Sequence, residues 1–172
     1  GCMNTVIPEE TDTIGYYAFY GHSGLKEIKL PENLKIIEGY AFMSTGISTI
    51  TIPESVDPIG AGAFRDRPNL TTFKVMSKEP IRINEYVFFG STDEVNTFNN
   101  ATLYVPKGTK VKYQEADVWK NFKNIVEFEP SGIDDIIADE DKQRKIYSIS
   151  GIRLKRPQKG LNIINGKKVV VR

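Results

Sequence analysis

Cysteine is almost missing from this 172-residue chain, with Cys2 the single example. One cysteine excludes an internal disulfide framework and a cysteine-built metal cluster. Histidine is as scarce. His22 stands alone in the turn Gly21-His22-Ser23-Gly24, and a catalytic or metal role would need partners that the sequence does not identify. An exposed loop residue is its plainer reading. No apolar run approaches the roughly 20 residues that cross a bilayer, so no integral membrane segment is expected. No charged-then-apolar leader opens the chain, and any secretion signal is taken to have been removed.

Other chemical signatures are missing too. There is no phosphate loop and no dinucleotide fingerprint. Ser148, Ser150 and Gly151 do not form the G-x-S-x-G turn of a nucleophile elbow. Asp134, Asp135, Asp139, Glu140 and Asp141 lack the alternate-position ligands and fixed glycine of a calcium loop, so a solvated linker is the simpler reading. No cofactor and no metal is expected, and no catalytic residue can be nominated.

What the chain does have is a break in charge. From Lys142 to Arg172 there are ten basic and no acidic residues, whereas the first 141 carry 13 basic and 22 acidic. The break follows Pro130-Ser131-Gly132 and the acidic stretch, which suits a linker between two modules. Tyr147 is the only aromatic residue of the basic tail. Stacking platforms for nucleic acid are therefore lacking, and no nucleic-acid partner is expected.

It also has a repeat. Ile7-Pro8 is followed by Ile14-Gly15-Tyr16-Tyr17-Ala18-Phe19, and Leu30-Pro31 by Ile37-Glu38-Gly39-Tyr40-Ala41-Phe42. A third copy runs from Ile52-Pro53 to Ile59-Gly60-Ala61-Gly62-Ala63-Phe64. The prolines lie 23 and then 22 residues apart, a period that marks stacked coils. Before each Pro an alternating run predicts a short strand: Leu25–Leu30, Ile47–Ile52, and Leu70–Val75, where Met76 replaces the Pro. The proline ends the strand because it has no N–H for the ladder. The segment Lys35–Gly39 predicts the return side of the coil. Phe19, Phe42, Phe64 and Phe88 are expected to form an internal column. An altered fourth copy joins Ile83–Phe88 to Thr102-Leu103-Tyr104-Val105-Pro106 after a longer excursion from Phe89 to Asn100. Beyond it, Lys107-Gly108-Thr109 predicts a helix start, with Val111, Tyr113, Trp119 and Phe122 covering the end of the stack. The chain opens almost inside a strand, as a fragment or a degenerate repeat would.

These phrases resemble the BspA-like leucine-rich repeats of bacterial surface proteins. The stretch Leu103-Tyr104-Val105-Pro106-Lys107-Gly108, with Tyr113 and Trp119–Ile125, is similar to the closing unit of those arrays. The tail, Lys145–Leu154 with Pro157–Val169, resembles the C-terminal modules of secreted Bacteroidetes proteins related to type IX sorting domains. Asn165-Gly166 inside it is a hairpin signal in its own right. The expected fold is mainly β: a solenoid of about four irregular 22–24-residue repeats with a helical cap, then a small β-hairpin or sandwich-like module. The domains are placed at 1–129 for the array and cap, 130–142 for the linker and 143–172 for the basic module.

Recognition is assigned to strand positions facing away from the core. They form two columns, Glu27, Thr49, Thr72, Thr102 and Lys29, Thr51, Lys74, Tyr104. Threonine there also suits any solvent-facing strand. The resemblance implies a non-enzymatic protein, extracellular or on the outer cell surface, adhering to a host matrix protein, a glycan or neighbouring cells. A spacer within a larger surface protein is the structural alternative. A hydrolase is the enzymatic one, and would need converged carboxylates.

Overall fold

A computed structural model describes residues 5–90 and 96–129, and the backbone of four strands within 146–171. The chain divides into two compact units, residues 1–130 and 131–172.

In the first unit each repeat is one coil, and successive coils meet through one or both of two ladders. The larger is a parallel sheet of β3 (Thr49–Ile52), β4 (Thr72–Val75), β5 (Thr102–Pro106) and β6 (Asn124–Phe128). The smaller pairs β1 (Thr13–Ile14) with β2 (Ile36–Ile37), and Ile37 bridges on to Ile59. Alternation sends Ile50, Ile52, Phe73, Val75, Leu103 and Val105 inward, all essentially buried. From the other ladder come Ile14, Ile37 and Ile59, also buried.

Between the ladders run turns built alike in successive coils. The N–H groups of Tyr17, Phe19 and Gly21 donate to the carbonyls of Gly39, Ala41 and Met43, at 3.4, 2.8 and 2.9 Å. Tyr40, Phe42 and Ser44 donate in the same way to Ala61, Ala63 and Arg65, and Gly62, Phe64 and Asp66 to Tyr86, Val87 and Phe89. The first and last donors of each trio have left-handed backbone: Tyr17 and Gly21, Tyr40 and Ser44, Gly62 and Asp66. For a residue with a Cβ that conformation costs about 1–2 kcal/mol. Glycine 62 is the inexpensive solution; Tyr17 and Tyr40 recover part of the cost by stacking on each other at 5.2 Å with planes 6° apart.

The phenylalanine column forms as expected. Phe19, Phe42 and Phe64 stack at 5.2 and 5.5 Å with interplanar angles of 4° and 8°, and Phe88 follows at 6.0 Å and 21°. Edge-on contacts from Phe73 to Phe64 and Phe88 tie the column to the large sheet. Gly46 is required by close approach: a Cβ there would lie 2.0 Å from the Ser23 carbonyl oxygen of the preceding coil.

The end of the column is closed by aromatic packing. The excursion contains a one-turn helix, α1 (Thr97–Asn100), and after β5 come α2 (Lys110–Glu115) and a 3-10 turn, Trp119–Asn121. Trp119 lies against Phe73, Phe88, Tyr113 and Phe122, and its Nε1 donates to the Ile81 carbonyl at 2.8 Å. Thr109 makes no side-chain cap to α2. The Glu127 carboxylate, reaching from β6, accepts from the N–H groups of Gly108 and Lys110 at 2.9 and 3.0 Å instead.

Two expectations are corrected. Val111 is 64% exposed and covers nothing, because it lies on the solvent side of α2 while Tyr113 lies on the buried side. Leu25–Leu30 is not a strand. Leu25 and Leu30 are buried, but a single 3.3 Å bond from Ser48 N–H to the Lys26 carbonyl joins this segment to the next coil. Its alternation therefore reports packing without a ladder.

Arg67 is a buried cation that the repeat pattern does not announce. Its Nη1 donates to the Phe42 carbonyl at 2.9 Å and its Nη2 to the Ile47 carbonyl at 2.5 Å, so one side chain bonds both ends of the preceding coil's turn. Burial lowers its pKa to about 10.

In the second unit, β7 (Ile146–Ser148), β8 (Arg153–Leu154), β9 (Gly160–Ile164) and β10 (Lys167–Val171) pair antiparallel in the order β10-β9-β7-β8. The linker at 130–142 and the Asn165-Gly166 turn lie outside the described residues, as does Cys2.

Phe64 is fully buried and touches Phe42, Phe73 and Phe88. Phe64→Ala is expected to destabilise the array by about 3–5 kcal/mol, measured as a lowered urea midpoint. Tyr113 supplies a pH test. Its buried hydroxyl donates to the Ser77 and Glu79 carbonyls at 3.0 and 3.1 Å, and burial raises its pKa above the ordinary 10.0. The native state thus holds this proton more tightly than the unfolded chain. Its contribution is complete below pH 10 and is lost as the pH climbs from there toward the raised native value. Arg67 works in the opposite sense, its native pKa being lowered, and it is common to both proteins in the comparison. Thermal unfolding of wild type and Tyr113→Phe should therefore differ in alkaline slope, wild type falling more steeply above pH 10.

Candidate functional site

The solvent side of the large sheet is set by its register. Thr49, Thr72, Thr102 and Asn124 pair in one row, and Thr51, Lys74, Tyr104 and Val126 in the next. A parallel sheet spaces such neighbours about 4.8 Å apart, so side chains of the same type form continuous ridges. Thr49 and Asn124 are exposed; Thr51, Thr72, Lys74, Thr102 and Tyr104 are half-buried.

Six of the eight residues assigned from the sequence thus share this surface. Glu27 and Lys29 do not join its ladder, since their segment forms no strand, although both are exposed. Lys29 lies 3.8 Å from the Glu9 carboxylate, with both side chains largely in solvent, a geometry that fixes neither.

Three residues missed in the sequence complete the face. Asn124 Nδ2 donates to Thr102 Oγ1 at 2.8 Å. Val126 is 37% exposed beside Tyr104. The Lys74 ammonium lies 4.2 Å from the centre of the Phe128 ring, close enough for cation–π attraction. All three belong to β6, whose Asn-Ile-Val-Glu-Phe lacks the repeat's proline. Its one usable signal was the apolar-polar alternation from Val126 to Glu129 after the cap.

The chemistry on offer is recognition. Hydroxyls, an amide, an ammonium held against a ring and a phenol give donors, acceptors and apolar area on a rigid sheet. His22 is exposed, and its Nδ1 lies 3.0 Å from the Tyr20 carbonyl oxygen of its own turn. Among the described residues no three of His, Cys, Asp and Glu group as metal ligands, and no helix is long and apolar enough to cross a membrane.

Parallel ladders, a repeated coil and a helical cap define a solenoid of the leucine-rich-repeat type. The chain belongs to the BspA type leucine rich repeat family, whose model matches residues 2–108. Among solved structures it is similar to a leucine-rich repeat protein from Bacteroides ovatus ATCC 8483, with 18% identity and a TM-score of 0.39. The match covers 72% of this chain, which spans 49% of that one. No curated protein matches. The family is a repeat scaffold of the kind that binds proteins or glycans, and membership is consistent with a non-enzymatic protein.

Proposed function

We propose that this protein is a non-enzymatic, exported adhesin that binds a surface protein or glycan, of a host or of neighbouring cells, through the solvent side of its large sheet. The observation that carries the reading is the register of Thr51, Lys74, Tyr104 and Val126 beside Thr49, Thr72, Thr102 and Asn124. A rigid surface loses little conformational entropy on binding, which favours affinity from a modest contact area.

In this reading residues 1–129 are the binding array, 130–142 a linker and 143–172 a basic module that directs export to the outer surface. The run of ten basic residues without an acidic one supports a module of separate origin, and its likeness to type IX sorting domains supports the export role.

The array is tested by immobilising a panel of matrix proteins and bacterial surface extracts and measuring retention of the purified chain. Replacing Thr51, Lys74 and Tyr104 together by Ala should weaken binding about tenfold or more, roughly 1.4 kcal/mol. Binding unchanged by the triple substitution removes the sheet face from consideration. No binding to any surface leaves the spacer reading. For the tail, deleting residues 143–172 in a host with the type IX machinery should retain the protein inside the cell. Undiminished surface display of the truncated chain refutes the sorting role.

A further inference from the structure

The large sheet is bounded differently on its two sides. Beside β3 lies the segment Leu25–Leu30, joined by the Ser48 N–H to the Lys26 carbonyl at 3.3 Å. Beyond β6 the order β3-β4-β5-β6 stops. The chain runs on past β6 into the second unit, whose strands pair among themselves in a separate sheet. The phase of the last ladder fixes what the far side of β6 offers. The Phe128 carbonyl accepts from the Lys107 N–H at 2.9 Å, and β5 pairs with β6 from Thr102 opposite Asn124 to Pro106 opposite Phe128. Main-chain groups of successive residues turn to opposite sides of a strand. Asn124, Val126 and Phe128 therefore face β5, and Ile125 and Glu127 turn their N–H and C=O groups outward. Among the described residues nothing bonds those outward groups.

Edge strands usually carry a guard against pairing, such as a proline, a bulge or a charge aimed along the edge. β6 lacks the proline that follows β3 and closes β5, and it pairs with β5 residue for residue. Its charged residue, Glu127, has its carboxylate drawn back onto the Gly108 and Lys110 N–H groups. Val126 stays 37% exposed at the middle of the strand. The sequence is also complementary to itself. When a second β6 runs antiparallel with Ile125 facing the copy's Glu127, every outward N–H meets an outward C=O. Val126 then meets Val126 across the twofold axis, and Lys123 stands opposite Glu129. Glu129 already holds Lys107 within its own chain, and a carboxylate accepts more than one donor. Sliding the strands one way sets Glu127 against Glu127, and like charges directly opposite are unfavourable. Sliding them the other way sets Glu127 against Lys123, whose N–H is taken by the Phe98 carbonyl at 2.9 Å.

We propose that β6 pairs antiparallel with β6 of a second copy, an isologous contact that joins the two large sheets edge to edge. Open main-chain donors and acceptors in alternation call for an extended strand. The occupant is a second copy because the register that satisfies the main chain also matches this sequence to itself, apolar on apolar and cation on anion. Pairing of this kind needs no ligand and is independent of the adhesive role proposed for the large sheet.

The test is analytical ultracentrifugation of the 172-residue chain over a concentration series, which should show a monomer passing to twice its mass. Val126→Lys and Val126→Glu should each raise the dimer dissociation constant about tenfold or more, because like charges then meet across the axis. An equimolar mixture of the two variants should recover association as a heterodimer. Thermal melting by circular dichroism establishes that each variant is folded. Hydrogen exchange on the wild type needs no variant: the Ile125 and Glu127 amides should slow as concentration rises, whereas Val126, bonded to β5, should be slow throughout. A chain that stays monomeric overturns the proposal, both when those amides exchange freely and when later residues of the same chain protect them. A dimer indifferent to both Val126 variants, or one that their folded mixture does not recover, overturns it as well and puts the contact on another surface.

Discussion

The array depends on one constraint: the turn of each coil leaves its N–H groups for its neighbour to satisfy. Three donors at alternate residues point the same way, and only a second turn of the same shape places three carbonyls in front of them. An unmet buried amide costs on the order of 1–3 kcal/mol, so the coils are stable as a stack or not at all. The rest of the repeat serves that alignment. Ala and Phe alternate so that one ring per coil fills the axis, and the ring separations of 5.2 to 6.0 Å follow the rise of the backbone.

A column built this way has an end that must be covered, and the cap departs from the repeat to cover it. Phe98, Tyr113, Trp119 and Phe122 meet Phe88 and one another mostly at steep angles rather than in register. Edge-to-face packing closes a stack that parallel rings would continue. The same change of chemistry recruits β6 to the large sheet and brings Asn124, Val126 and Phe128 to its outer face. Cap and candidate surface are thus one construction. The fourth strand of the candidate face is present because the stack had to be capped.

The periodic part of this arrangement could be read from the sequence because period and packing are the same fact. A recurring Ala-Phe at 23 and 22 residues states directly which rings will touch. Nothing comparable announces Arg67, which lies in a segment that reads as a polar turn and is buried with its guanidinium on two carbonyls of the preceding coil. The candidate face divides along the same line. Thr49, Thr72 and Thr102, with Thr51, Lys74 and Tyr104, were found by register, whereas β6 carries no repeat signature. Glu27 and Lys29 show the opposite failure, since alternation fixes which side chains point inward but not whether a neighbouring backbone comes close enough to bond.

The uniform direction of the turn bonds has a further consequence, for symmetry. Every described interface between turns matches acceptors to the donors of the coil before it. A twofold axis would set donors against donors and carbonyls against carbonyls, so these turn bonds extend by head-to-tail stacking and not by isologous pairing. Ordinary sheet edges carry donors and acceptors together and invite such pairing. In the turn column the donors all face one way and the acceptors the other, so its order is polar along the stack.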